Sequence, residues 1–129
     1  MDAVFSVDGI RYNVTVPAGG IKRSASVLDG DNAGRVKSGL MIRDIIGTYY
    51  NYTVQIETSR LDVEAYDRLY EVLTAPVNSH LLVIPYGQTT LRFYAYVTNA
   101  EDSIRTIDNG KNFWGGLSIN FIAMEPQRR

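Results

Sequence analysis

Tyr50-Asn51-Tyr52-Thr53-Val54-Gln55-Ile56-Glu57 alternates apolar and polar side chains without a break. A period of two puts Tyr50, Tyr52, Val54 and Ile56 on one face of an extended chain and Asn51, Thr53, Gln55 and Glu57 on the other, the pattern of a half-buried antiparallel strand. The same period recurs at Leu91, Phe93, Ala95 and Val97, and again at Leu117, Ile119, Phe121 and Ala123. Residues 80–84 form a shorter, more continuously apolar strand. Near the N-terminus, Phe5 and Val7, then Ile10, Tyr12, Val14 and Val16, flank Asp8-Gly9. That pair tolerates the positive φ angles of a two-residue turn and predicts a β-hairpin, ended at Pro17 by the missing donor.

One segment changes period. Across residues 61–74, Val63, Tyr66, Tyr70 and Leu73 share a helical stripe flanked by Ala65, Leu69 and Val72, while Asp62, Glu64, Asp67, Arg68 and Glu71 face away. Asp62 is placed to cap the first turn, Glu64 stands four residues before Arg68, and Pro76 discourages continuation. Residues 40–46 read as a short strand or a turn of helix interrupted by Gly47-Thr48, with further turns at residues 85–87 and Asp108-Asn109-Gly110. Many strands and one helix in 129 residues predict a single α+β domain, mainly β: an antiparallel β-sandwich or barrel with one flanking α-helix. The polar tail, residues 125–129, is expected to fray.

Residues 19–39 do not fit either period. They hold five of the eleven glycines, four cations and one apolar pair, Val27-Leu28. A stretch of that length and composition buries little by itself and is expected to be a long loop or arm reaching a neighbour.

Composition narrows the function. Thirteen Lys and Arg against fourteen Asp and Glu give a net charge of -1, so no overall field draws the chain to nucleic acid or to an acidic membrane. With no cysteine, disulfide scaffolds, thiolate metal sites and cysteine nucleophiles are excluded. No signal peptide or membrane span is legible, which predicts folding in the cytoplasm.

Catalytic motifs are equally hard to find. The single histidine, His80, opens an apolar strand with no Asp or Ser at motif spacing and is expected to be structural. Gly110-Lys111-Asn112 lacks the remainder of a P-loop, and Gly19-Gly20 is not followed by a dinucleotide fingerprint. The run Asp29-Gly30-Asp31-Asn32-Ala33-Gly34 begins like a calcium loop, but Ala33 occupies a ligand position and Leu40 stands where the bidentate Glu belongs. The expectation is therefore a protein that is not an enzyme and uses no cofactor or metal.

The aromatic residues are more informative. Among nine tyrosines, Tyr49 and Tyr50 are adjacent, and Tyr94 and Tyr96 lie opposite the Phe93 face. Either these tyrosines pack under the helix, or with Arg43, Arg92 and Trp114 they form a candidate interface or a platform for stacking on sugars or bases.

Three segments together carry a resemblance: Phe5-Ser-Val-Asp-Gly-Ile-Arg-Tyr12, Ser38-Gly-Leu-Met-Ile-Arg-Asp-Ile-Ile-Gly-Thr-Tyr-Tyr-Asn-Tyr52, and Phe113-Trp-Gly-Gly-Leu-Ser-Ile-Asn-Phe-Ile-Ala-Met-Glu-Pro126. In their order the sequence resembles the small tail-associated virion proteins of siphophages and prophages of Gram-positive bacteria. The resemblance implies a β-sandwich or barrel with a flanking helix and a projecting loop or hairpin. It also implies a structural role in the virion tail, at the tube or tip, after assembly in the host cytoplasm. Partners would then be further copies of the chain in a ring, or other tail proteins, with no membrane and no sequence-specific nucleic acid. On this reading Lys22, Arg23, Arg35 and Lys37 meet carboxylates of a neighbour, Val27 and Leu28 anchor the contact, and Asp29 and Asp31 set its register. The alternative is a β-module that binds carbohydrate or single-stranded nucleic acid through its exposed Tyr and Trp.

Overall fold

A computed structural model describes residues 5–30, 33–35 and 37–129. The architecture is α+β and mainly β. The chain runs β1 (Ser6–Val7), β2 (Ile21–Asp29), β3 (Gly34–Arg35), β4 (Met41–Ile42), β5 (Ile45–Ile56), α1 (Val63–Leu73), β6 (His80–Tyr86), β7 (Thr89–Asp108) and β8 (Lys111–Ala123). Six strands make one antiparallel sheet in the order β1-β6-β7-β8-β5-β2, and β3 and β4 form a separate two-stranded sheet.

The six-stranded sheet is rolled. Laid flat, it would hold β2 about 19 Å from β6, four strand spacings away. Instead the Arg23 guanidinium of β2 lies 5.3 Å from the ring centroid of Tyr86 in β6. Likewise Tyr52 of β5 donates its hydroxyl to the Pro85 carbonyl at 3.0 Å, and the Tyr50 and Tyr86 rings meet edge to face at 5.1 Å. Of the two expected arrangements this is the barrel-like one, joined across its gap by side chains. Its interior is the alternating set read from the sequence: Tyr50, Tyr52, Val54 and Ile56 from β5, Phe93 and Ala95 from β7, Leu117, Ile119, Phe121 and Ala123 from β8, all buried.

Helix α1 adds Ala65, Tyr66, Leu69 and Leu73 to that core. The Asp62 carboxylate caps it by accepting from Ala65 N–H at 3.2 Å. Arg68 turns back towards Asp62, at 3.9 Å. Thr74 closes the helix, its hydroxyl donating to the Tyr70 carbonyl. Among the described residues no helix is long and apolar enough to cross a membrane.

The predicted N-terminal hairpin is cut short. Asp8 and Gly9 do adopt positive φ, 52° and 83°, and Val7 and Ile10 exchange two backbone hydrogen bonds. Beyond Ile10 the chain leaves, because β6 occupies the flank of β1. Tyr12, Val14 and Val16 are buried in the core as expected, yet among the described residues the backbone of this segment pairs only at Thr15, opposite Glu57.

Residues 19–39 are not a loop throughout. Ile21–Asp29 is a nine-residue strand paired with β5 along its length. Gly47-Thr48 does not end the strand; β5 runs through it with a register shift at Ile46, and a side chain at Gly47 would collide with the Arg128 carbonyl and the Pro126 ring. The tail lies against the sheet there instead of fraying. Thr48 N–H donates to the Arg128 carbonyl at 2.7 Å, and Gln127 N–H donates to the Thr48 carbonyl at 3.0 Å.

Candidate functional site

Strands β5 and β8 set where the exposed features stand. Their ladder runs from Tyr52 opposite Phe121 to Ile56 opposite Leu117, so β5 overhangs β8 at its Ile45 end and β8 overhangs β5 at its Lys111 end. Each overhang is a hairpin projecting from the barrel, and the two point to opposite ends of the sheet.

The first hairpin is β2 with β5, tipped by β3 and β4. Side chains from Lys22 to Leu28 are exposed on both faces of β2, and its outer edge has no partner strand among the described residues. Val27, Leu28, Leu40, Met41, Ile42, Ile45 and Ile46 are all solvent-exposed, Leu40 to 65%. The arm is held in shape from within: Arg43 Nε donates to both Asp29 carboxylate oxygens at 2.7 and 2.9 Å. Gly30 N–H donates to the Asp44 carbonyl at 2.6 Å, and Arg35 donates to the Gly39 carbonyl at 2.8 Å. The Asp29 hydrogen bond and charge push the Arg43 pKa up. A run of apolar side chains held in water on a projecting hairpin marks a contact surface.

These positions refine the sequence reading. Val27 and Leu28 stand exposed on the arm as anchors would, and Lys22, Arg35 and Lys37 are exposed. Arg23 is committed to Tyr86 and Asp29 to Arg43, so both act first within the chain; Asp31 lies outside the described residues. Leu40, Met41, Ile42, Ile45 and Ile46 were missed as surface residues, because an apolar run in a sequence reads as buried.

The second hairpin is the far half of β7 with the start of β8. Three register shifts, at 97/100, 101/103 and 104/106, twist it and lay it beside α1. Asn109 and Gly110, at φ 52° and 76°, make its turn. Arg60 stacks 4.4 Å over the Phe113 ring, and Arg105 donates to Glu57 at 2.9 Å. Between this hairpin and α1 lies an open cleft of about 380 Å³ lined by Tyr66, Asp67, Tyr70, Glu71, Asp102 and Trp114. Tyr66 donates its hydroxyl to Asp102 at 2.8 Å. Burial first, then that carboxylate, raises the Tyr66 phenol far above its ordinary pKa, so Tyr66 stays a donor and fixes Asp102 as an acceptor. Of the lining residues the sequence reading had singled out only Trp114. A signal was present: Tyr66 with Tyr70, and Asp67 with Glu71, each stand one helical turn apart, so an aromatic row and an acidic row run side by side at the edge of the apolar stripe of α1.

The proposed aromatic platform is not one surface. Tyr50 is buried; its hydroxyl accepts from Tyr86 at 3.1 Å and from Arg128 at 3.3 Å; both bonds lower its pKa, while donating to Tyr50 raises that of Tyr86. Tyr49 is half-buried, Arg43 belongs to the arm and Trp114 to the cleft. Only Arg92, Tyr94 and Tyr96 stay together, exposed on the outer face of β7. A groove of about 320 Å³ beside them is walled by Leu81, Leu91, Phe93, Glu125, Pro126 and Gln127.

His80 is buried, its Nδ1 2.7 Å from the Asp8 carboxylate. The other Asp8 oxygen accepts from Leu81 N–H at 2.9 Å. The pair ties the Asp8-Gly9 turn to β6. No protein-family model matches the chain, and no curated protein matches it significantly.

Proposed function

We propose that this chain is a non-enzymatic structural subunit of a bacteriophage tail, at the tube or tip, that works by associating with copies of itself or with other tail proteins into a ring. The observation that carries the assembly half of this reading is the β2–β5 arm, an internally braced hairpin that holds an apolar surface in water. Exposed apolar groups cost about 25 cal/mol per Å² relative to burial, so a partner that covers them gains that free energy without first paying to order a loop. The placement in a phage tail rests on the three segments that resemble tail-associated proteins, and the virion is the corresponding location.

The test is to remove the tip without removing the strand. Gly30 and Asp44 already face each other across the hairpin, so residues 31–43 can be replaced by a two-residue Asn-Gly turn. Full-length protein is expected to form rings or larger particles by light scattering and negative-stain imaging, alone or on mixing with neighbouring tail proteins. The trimmed protein is expected to keep its far-ultraviolet circular dichroism and thermal midpoint but stay monomeric. Assembly that survives trimming would refute the arm as the contact.

The exposed Arg92, Tyr94 and Tyr96 row and its groove favour a second reading, a carbohydrate- or single-strand-binding face, since aromatic and guanidinium planes stack on either ligand. Saturable binding of glycans or oligonucleotides that is lost in Tyr94→Ala would favour it over the assembly role. Both roles are compatible with a tail tip.

A further inference from the structure

We infer that the cleft between α1 and the β7–β8 hairpin is the acceptor for the tip of the β2–β5 arm of a second copy, so that subunits join head to tail. This rests on the reading that the chain assembles and names the contact it uses.

The chemistry of the two surfaces is complementary. The cleft presents the exposed carboxylates of Asp67 and Glu71 and the half-buried rings of Tyr70 and Trp114 above the bonded Tyr66–Asp102 pair, with no cation among its lining residues. Carboxylates beside aromatic faces favour a cationic side chain carried on an apolar stem, through ion pairing and cation–π attraction together. The arm tip offers that combination: Arg35 and Lys37 are exposed within a few residues of exposed Leu40, Met41 and Ile42. Arg43, the other cation of the tip, is held by Asp29 and acts as a brace. At about 380 Å³ the cleft has room for one or two long side chains.

The topology decides between a contact within one chain and a contact between chains. The β5–β8 register puts the arm beyond the Ile45 end of the sheet and the cleft beyond the Ile56 end. Strand β5 alone spans about 36 Å at 3.3 Å per residue, so a subunit cannot seat its arm in its own cleft. A contact between two different patches at opposite ends is heterologous; repeated, it closes into a ring or continues as a filament. A two-fold dimer that sets arm against arm would leave the cleft of each copy empty, whereas reciprocal arm-in-cleft seating closes the assembly at two copies.

Two surface variants test this. Arg35→Ala with Lys37→Ala disables the arm, and Asp67→Ala with Glu71→Ala disables the cleft without creating a new complementary pair; all four positions are exposed. Each variant alone is expected to self-associate roughly tenfold or more weakly than the native protein by sedimentation velocity. Mixed one to one, they are expected to form a heterodimer and nothing larger, because one partner keeps a working cleft and the other a working arm. Trp114 is the only tryptophan and lines the cleft, so its emission should shift in the mixture and in neither variant alone.

Native protein that assembles while both variants assemble equally well would overturn the arm-in-cleft contact and leave the assembly reading in place. Variants that are monomeric yet fail to pair when mixed would overturn it too, the contact then being arm against arm or elsewhere. Native protein that stays monomeric up to its solubility limit would also overturn it, leaving only docking on other tail proteins. Loss of assembly on trimming residues 31–43, tested separately, keeps these failures apart from failure of the arm itself.

Discussion

At Asp8 one carboxylate serves both the His80 ring and the Leu81 N–H, and the backbone that presents it has φ of 52°, a conformation that Asp and Asn tolerate better than most residues. Partial burial works to raise the Asp8 pKa, but the hydrogen bonds from His80 and Leu81, with the His80 charge, outweigh it and hold the group below its ordinary value. A carboxyl with a depressed folded pKa contributes stability in full above its unfolded pKa, near 3.8, and loses it as pH falls through the folded value. Asp8→Asn preserves the turn and removes the charge. It is expected to cost about 1 kcal/mol near neutral pH, a modest figure because the side chain is partly exposed, and less at an acid pH below the unfolded value of 3.8. Urea midpoints at the two pH values check this; an equal loss at both would mean the charge contributes nothing.

Among the elements, the C-terminal tail behaves as a short partner for the first half of β5. The Gln127 side-chain amide donates to the Tyr50 carbonyl and its oxygen accepts from Tyr50 N–H, both at 2.9 Å, copying the two-way exchange of a strand pair. Gln127→Ala strands both backbone groups and is expected to lower stability by about 1–2 kcal/mol, read as a lower urea midpoint with an unchanged slope. An unchanged midpoint would show that the tail only rests on the sheet. Strands β5, β6 and β8 and helix α1 were legible in the sequence because each buries one face, and periodicity records burial. Strand β2 was not, since it is exposed on both faces and its alternation has nothing to report. The outer half of β7 was hidden for the same reason, and its bulges shift the period besides. Glycines 19, 20, 30, 34 and 39 suggested a loop, yet they flank β2 or sit at the tip. Of the candidate site, Val27, Leu28 and Trp114 were visible as residues, while the cleft depends on β8 folding back beside α1, a relation between distant segments that no local pattern encodes.

On the scale of the whole molecule, the barrel and its two hairpins should differ in how they open. Amides of Val54, Ile119, Phe121 and Leu82 sit in paired strands whose side chains are wholly buried, so their exchange with solvent requires loss of the core. Val27, Ile42, Ile104 and Ile107 also lie in strands, but their side chains are exposed, and opening either tip breaks ladder hydrogen bonds while surrendering little apolar burial. Local opening free energies follow buried contacts more than hydrogen-bond count. Native-state hydrogen exchange is therefore expected to place the barrel amides at the global unfolding free energy and the tip amides several kcal/mol below it, with α1 close to the barrel because Leu69 and Tyr66 are anchored in it. Exchange at one common free energy throughout would mean that the hairpins unfold only with the core. In assembled protein, protection should rise at both tips together, since a head-to-tail contact covers the arm of one subunit and the β7–β8 hairpin of the next; protection confined to the arm would place its partner elsewhere.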